Sequence, residues 1–127
     1  MKKANEIYNT CEPWWYDYQP MLNEFGEIIL QIDEQGYQGD SFVIYRDNNR
    51  YGYLTFGWGS CSGCDALQGC DSIDEVQDLM NDLYNSIIWF DSLSELKSYF
   101  ENKDWTLCHE WYIDEFKEFI RNVKILS

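Results

Sequence analysis

Basic side chains are scarce in this sequence of 127 residues. Nine lysine and arginine residues stand against 23 aspartate and glutamate residues, which gives a formal net charge of −14 at pH 7. A chain with this charge is repelled by nucleic acid and by anionic membrane surfaces, because both are polyanions. The composition therefore argues against direct binding to DNA, RNA or a membrane, and it favours a basic protein or a cation as the partner.

Long apolar segments are also missing. No run approaches the roughly 18 residues of a membrane-spanning helix. The first ten residues, MKKANEIYNT, contain two lysines but no apolar stretch of the kind found in secretory signals. With 45% hydrophobic residues the chain can still build a core. We therefore expect a single cytoplasmic domain over residues 1–127, with its thiols kept reduced.

The acidic residues are unevenly distributed along the chain. Residues 4–45 and residues 51–96 each hold eight carboxylates and no basic side chain, whereas residues 97–127 are nearly balanced. A net charge of only about 2–8 is enough to keep a small domain soluble. The excess is compatible with a solvated acidic surface and equally with a surface that binds a cationic partner.

Strand-like and helix-like patterns follow each other in the sequence. Residues 26–58 contain three segments rich in β-branched and aromatic residues, separated by polar turns, which predicts a three-stranded antiparallel meander. In its first segment, alternation places Ile28, Leu30 and Ile32 on one side and Ile29 on the other. Because the strands precede the helices instead of alternating with them, we predict an α+β fold with two to three helices packed on one face of the sheet.

The helices are indicated by apolar residues at three- and four-residue steps. One such stripe runs from Ile73 to Phe90, a second from Leu93 to Phe100, and a third covers about 110–124. Ser72 with Glu75 forms a capping box before the first of these helices, and the same device, Ser-x-x-Glu, precedes the second.

Five cysteines provide the most specific chemical signal. They are Cys11, Cys61, Cys64, Cys70 and Cys108. Cys61 and Cys64 have the Cys-x-x-Cys spacing of a zinc knuckle, and Cys70 can supply a third ligand. Cys108, or its neighbour His109, the only histidine, can complete a tetrahedral zinc site. Such a site would tie the loop after the third strand to the last helix.

Other uses of the cysteines stay open. They can serve as small, metal-free core residues, or Cys61 and Cys64 can form the dithiol of a thiol–disulfide oxidoreductase. The redox interpretation lacks the expected strand–helix–strand pattern and a downstream proline. A catalytic zinc is disfavoured because a fourth protein ligand would leave no position for water. We therefore predict that the protein is not an enzyme.

A line of carboxylates is the second candidate site. Asp74, Asp78 and Asp82 repeat at four-residue steps along the first predicted helix, with Glu75 beside them. Each step rises about 6 Å along the helix axis, so the line resembles a row of backbone phosphates. Asp74 and Glu75 are favoured by the helix dipole in the first turn, but Asp82 lies too far along. The line predicts either a surface that enters a basic nucleic-acid groove or a solvated helix face.

The run YGYLTFGWGSCSGCDALQGC, residues 51–70, resembles a motif of small phage and mobile-element proteins of Gram-positive bacteria, some of which are similar to zinc-containing type II anti-CRISPR proteins. The metal ligands that this resemblance implies are Cys61, Cys64 and Cys70. The resemblance implies a phage-encoded inhibitor in the bacterial host cell that binds the host's RNA-guided DNA nuclease and blocks loading of target DNA. Such nucleases hold nucleic acid in a basic channel, which suits a polyanionic partner. An antirestriction DNA mimic and a phage scaffold protein stay open as alternatives.

Overall fold

A four-stranded antiparallel sheet, with its strands in chain order, forms the centre of the computed structural model, which describes residues 1–8, 17–60, 63 and 65–127. The α+β class and the three-stranded meander are confirmed, and the structure adds a fourth strand. The strands are β1 (Glu27–Asp33), β2 (Gly39–Asp47), β3 (Arg50–Trp58) and β4 (Ile88–Phe90). The described helices are α1 (Ala4–Ile7), α2 (Gln19–Leu22), α3 (Ile73–Ser86), α4 (Leu93–Asn102) and α5 (Asp114–Lys124), with 3-10 turns at Trp105–Leu107 and His109–Tyr112.

Helices cover both faces of the sheet, so the prediction that they pack on one face is wrong. The reason lies in β2, where Phe42 and Ile44 enter one hydrophobic core while Val43 and Tyr45 enter another. Successive side chains of a strand point to opposite faces. When all of them are apolar, both faces need a cover, as is typical of strands buried on both sides.

We name each core after the longest helix that covers it. The α3 core is covered by α1, α2 and α3, and the α5 core by α4, α5 and the 3-10 turn at Trp105. In the α5 core, the ring of Phe42 lies 4.9 Å from that of Phe116 and 5.6 Å from that of Phe119, centroid to centroid. In the α3 core, the buried Tyr45 hydroxyl donates to the carbonyl of Leu22 at 2.8 Å.

A β-bulge changes which side chains of β1 share a face. The pairing of β1 with β2 shifts register between Ile28 and Leu30. Ile28 packs against the α3 core, whereas Ile29, Leu30 and Ile32 pack against the α5 core. The simple alternation predicted for these residues is therefore wrong for Ile28 and Ile29, because a bulge adds a residue to one strand.

The helix predicted to extend to Phe90 ends earlier. α3 stops at Ser86, and Ile88–Phe90 pairs with Tyr51–Tyr53 as the edge strand β4. The run Ile-Ile-Trp-Phe is β-branched and aromatic, which favours an extended backbone. Every helix in the described part of the chain is too short or too polar to cross a bilayer.

Helix starts agree with the capping prediction. The Ser72 hydroxyl accepts the Glu75 backbone N–H at 3.3 Å, and the Ser92 hydroxyl accepts the Glu95 N–H at 3.1 Å. The last helix, predicted over about 110–124, begins at Asp114 because a 3-10 turn occupies His109–Tyr112.

Candidate functional site

The predicted zinc ligands are only partly within the described residues. Cys61 and Cys64 lie outside them, as does Cys11. Cys70 is half-buried against the α3 core, and its Sγ donates to the Ala66 carbonyl at 3.3 Å. Cys108 packs against the α5 core instead, on the other face of the sheet.

We use the name cysteine loop for residues 59–70. His109 is exposed and begins a 3-10 turn, and it lines a groove together with Ala66 of the cysteine loop. Within the described part of the chain, no three histidine, cysteine, aspartate or glutamate side chains come together as a metal site. The zinc site, which depends on Cys61 and Cys64, stays a prediction.

A buried carboxylate organises the cysteine loop. Asp65 is 5% exposed and accepts four hydrogen bonds from residues that the structure describes. Its Oδ2 accepts the Gly59 N–H at 2.8 Å, and its Oδ1 accepts the Tyr18 hydroxyl at 2.8 Å, the Leu67 N–H at 2.9 Å and the Gln68 N–H at 3.1 Å. A carboxylate with this many donors is compensated for the loss of water.

The same contacts close the base of the loop. The Gln68 side chain also donates to the Gly59 carbonyl at 2.6 Å, so Asp65 and Gln68 hold both backbone groups of Gly59. Gly59 is therefore tied to the turn that begins at Asp65. Sequence reasoning missed Asp65; the one signal for it is an aspartate in a turn rich in small residues, where its side chain can accept nearby N–H groups.

The surroundings of Cys70 bear on its chemistry. Burial raises the pKa of the Cys70 thiol, and the nearby carboxylates of Glu75, Asp65, Asp71 and Asp78 raise that pKa further. A thiol surrounded by carboxylates is a poor redox nucleophile, because the thiolate is the reactive form and nearby negative charge disfavours it. A divalent cation would reverse this balance by favouring the thiolate. Without a cation beside it, Cys70 is therefore poorly suited to act as a redox nucleophile.

The predicted acidic line is on the surface of α3. All four of its side chains are exposed: Asp74, Glu75, Asp78 and Asp82. In the described chain the ion pairs are made by the two arginines of the β2–β3 hairpin, and none reaches α3. Lys2 and Lys3 line the same cavity as Asp74. Glu75 accepts the Asp71 backbone N–H at 2.5 Å and so caps the helix start. Among the described residues, Asp78 and Asp82 have neither such a role nor a basic partner.

The two candidate sites adjoin each other. The carboxylates of Glu75 and Asp78 are close enough to raise the pKa of the Cys70 thiol. The end of the cysteine loop therefore lies beside the acidic line. A metal in this loop would thus support the backbone that leads directly into α3. Comparison with protein-family models, with curated proteins and with solved structures finds no match for this chain.

Proposed function

We propose that this protein is an inhibitor, not an enzyme, which binds a basic nucleic-acid-handling protein through α3. The observation that carries the proposal is the exposed pair Asp78 and Asp82, which has no basic partner in the described chain and extends the line that starts at Asp74 and Glu75. Like charges at neighbouring positions of a helix are destabilising by a few tenths of a kcal/mol per pair. Asp78 and Asp82 lie too far along the helix for its dipole to favour them, whereas a cationic groove would stabilise them on binding.

The proposed partner is a type II CRISPR RNA-guided DNA nuclease of a bacterial host, met in the host cytoplasm. Its channel is built for the phosphates of nucleic acid. Carboxylates at steps of about 6 Å along a helix can occupy lysine and arginine side chains that otherwise hold phosphates. The resemblance of residues 51–70 to anti-CRISPR-like phage proteins supports this partner. Target DNA would then be excluded by occupancy.

Zinc has a structural role in this proposal. Cys61, Cys64 and Cys70 would hold the metal, and His109 would complete the site. His109 is favoured over Cys108 because it lines the same groove as Ala66 of the cysteine loop, whereas Cys108 packs against the α5 core. Bound Zn²⁺ would fix the loop beside the acidic line and would not take part in a reaction.

The test is inhibition of target cleavage by a guide-loaded nuclease. Asp78→Lys with Asp82→Lys should raise the inhibitor concentration needed by about tenfold or more, equivalent to about 1.4 kcal/mol of binding. The matched control is Glu101→Lys with Glu118→Lys, which changes the net charge equally at exposed positions of α4 and α5. Equal inhibition by both double variants would remove α3 from the interface.

Two further assays separate the alternatives. Insulin reduction by the metal-free protein would support the thiol–disulfide oxidoreductase. Affinity capture from a bacterial host that recovers no nuclease or other nucleic-acid enzyme would support a phage scaffold protein. Free DNA should not be retarded by the protein, because both are polyanions.

A further inference from the structure

A pocket that the sequence did not indicate lies between α2 and the sheet, where β1 and β3 end. Its volume is about 300 Å³, and three of its lining residues are aromatic: Tyr18, Phe56 and Trp58. We name it the aromatic pocket. Neither the acidic line on α3 nor any residue of the cysteine loop that the structure describes contributes to its lining.

The strand register places the sheet residues of this pocket on one face. Asp33 is directly opposite Ser41, and Ser41 is directly opposite Phe56. Residues opposite each other in antiparallel strands share a face, and Trp58 shares it too because it is two positions after Phe56. The indole N–H of Trp58 donates to the Ser41 hydroxyl at 3.0 Å. Since Phe56 packs against the α3 core, this is the face that α2 covers.

The three aromatic side chains are half-buried and held in place. The rings of Tyr18 and Phe56 lie 4.8 Å apart, centroid to centroid. The Tyr18 hydroxyl donates to the buried Asp65 carboxylate at 2.8 Å, and Trp58 is fixed by its hydrogen bond to Ser41. Such rings offer apolar surface to methylene groups, and their faces attract cations. The pocket therefore suits an apolar chain that carries positive charge.

A chain of hydrogen bonds along one wall ends on an acceptor. Gln19 and Gln31 exchange two hydrogen bonds between Nε2 and Oε1, at 3.1 and 3.0 Å. The second N–H of Gln19 donates to Asn23, and that of Gln31 is shared by the two Asp33 carboxylate oxygens at 3.2 Å. Both N–H groups of each amide are therefore used, whereas a carboxylate has about four lone-pair sites. A ligand at this wall must donate hydrogen bonds.

The charges of the pocket also select a cation. Asp17, at the start of α2, and Asp33, at the end of β1, line the pocket and are exposed. Neither belongs to an ion pair with lysine or arginine in the described chain. Residues 4–45 and 51–96, which contain the whole described lining, hold no basic side chain. The positive charge must therefore come from another molecule.

We propose that the aromatic pocket binds a linear polyamine. Its methylene groups would lie on the aromatic rings, and its ammonium groups would donate to Asp33 and Asp17. Because these two carboxylates come from different elements, a ligand with at least two positive charges matches them better than a monocation does. Small-molecule pockets span roughly 300–1,000 Å³, so this volume suits a slender chain. The inference goes beyond the proposed function, because it needs no nuclease.

The experiment is an NMR titration of the full chain with spermidine at about 0.15 M ionic strength, where distant surface charges are screened. The Trp58 indole signal and the side-chain amide signals of Gln19 and Gln31 should shift and saturate. 1,8-Octanediol, an uncharged chain of the same length, should produce almost no shift. Asp33→Asn should weaken spermidine binding by about fivefold or more. Asp78→Asn, the same chemical change on α3, is the matched control and should leave it unchanged.

Several results would overturn this inference. These are equal shifts with the diol, shifts centred on α3, or an equal loss in Asp33→Asn and Asp78→Asn. N-acetyl-lysine amide that binds as tightly as spermidine would also overturn it, because the pocket would then be a site for a lysine side chain of a protein. No nuclease is present in this titration. A negative result therefore leaves the inhibitor proposal standing, while a failure of nuclease inhibition leaves the polyamine site standing.

Discussion

The two sides of the sheet have comparable cores but different surfaces. Each core is built from large buried side chains of β2, β3 and the covering helices. On the surface, α3 carries four carboxylates and no basic residue, whereas α4 and α5 together carry five carboxylates and four basic residues. The acidic excess is therefore not required by the fold, because the α5 side is equally well buried without it.

The charges of the two longest described helices differ in order as well as in number. α5 has acidic residues in its first turn and Arg121 and Lys124 in its last turn, which complements the helix dipole. α3 has acidic residues in its first turn but no basic residue in its last. The surface of α5 follows what helix stability favours, and that of α3 departs from it. We therefore assign the binding role to the α3 side.

The largest expected effect comes from breaking either core. Phe119→Ala on the α5 side and Met80→Ala on the α3 side remove fully buried side chains. Each should lower the free energy of unfolding by about 2–5 kcal/mol. Because β2 contributes to both cores, circular dichroism and fluorescence should report one shared transition in each variant. Separate transitions for the two sides would contradict a single domain.

The second effect should be confined mainly to the α3 side. Cys64→Ser should release about one zinc per chain and lower the melting temperature by about 10 °C, as expected for the loss of a structural metal. Hydrogen exchange should rise in the cysteine loop and α3 more than in α5. Cys108→Ser is the control and should retain the metal. A chelator that changes neither melting nor exchange would indicate metal-free cysteines.

The smallest effect concerns the sheet end, which both sides share. The pKa of Asp40 is raised in the folded protein, so ionised Asp40 opposes folding once the pH exceeds that pKa. Asp40→Asn should therefore raise the melting temperature at neutral pH by about 1–3 °C. The gain should disappear as the pH falls and wild-type Asp40 takes up its proton. A gain of the same size in acid would assign the effect to packing instead of charge.

Local patterns in the sequence were sufficient for much of the fold. Strand composition predicted the meander, and Ser72 and Ser92 marked the helix starts, because caps and turns depend on near neighbours. The exposed line on α3 followed from helical spacing. What failed was the distribution of helices over the sheet, although the fully apolar run Phe42–Tyr45 already indicated a strand buried on both faces.

The remaining features depend on contacts between distant residues. Tyr18 and Asp65 are 47 positions apart in their hydrogen bond. A groove at the end of the sheet brings Asp40 of β2 together with His109 and Tyr112, which follow α4. Neither arrangement has a local signature, since it arises only when the chain brings separate turns together. The bulge in β1 is likewise set by its pairing with β2.

The most direct test of the account is hydrogen exchange in a mixture of this protein with a guide-loaded type II nuclease. Amides of α3 and of the adjoining cysteine loop should exchange more slowly in the complex, because the acidic line would lie in the basic channel. Amides on the surfaces of α4 and α5 should be unaffected. Slower exchange of α4 and α5 with α3 unchanged, or no change in any segment, would contradict the account.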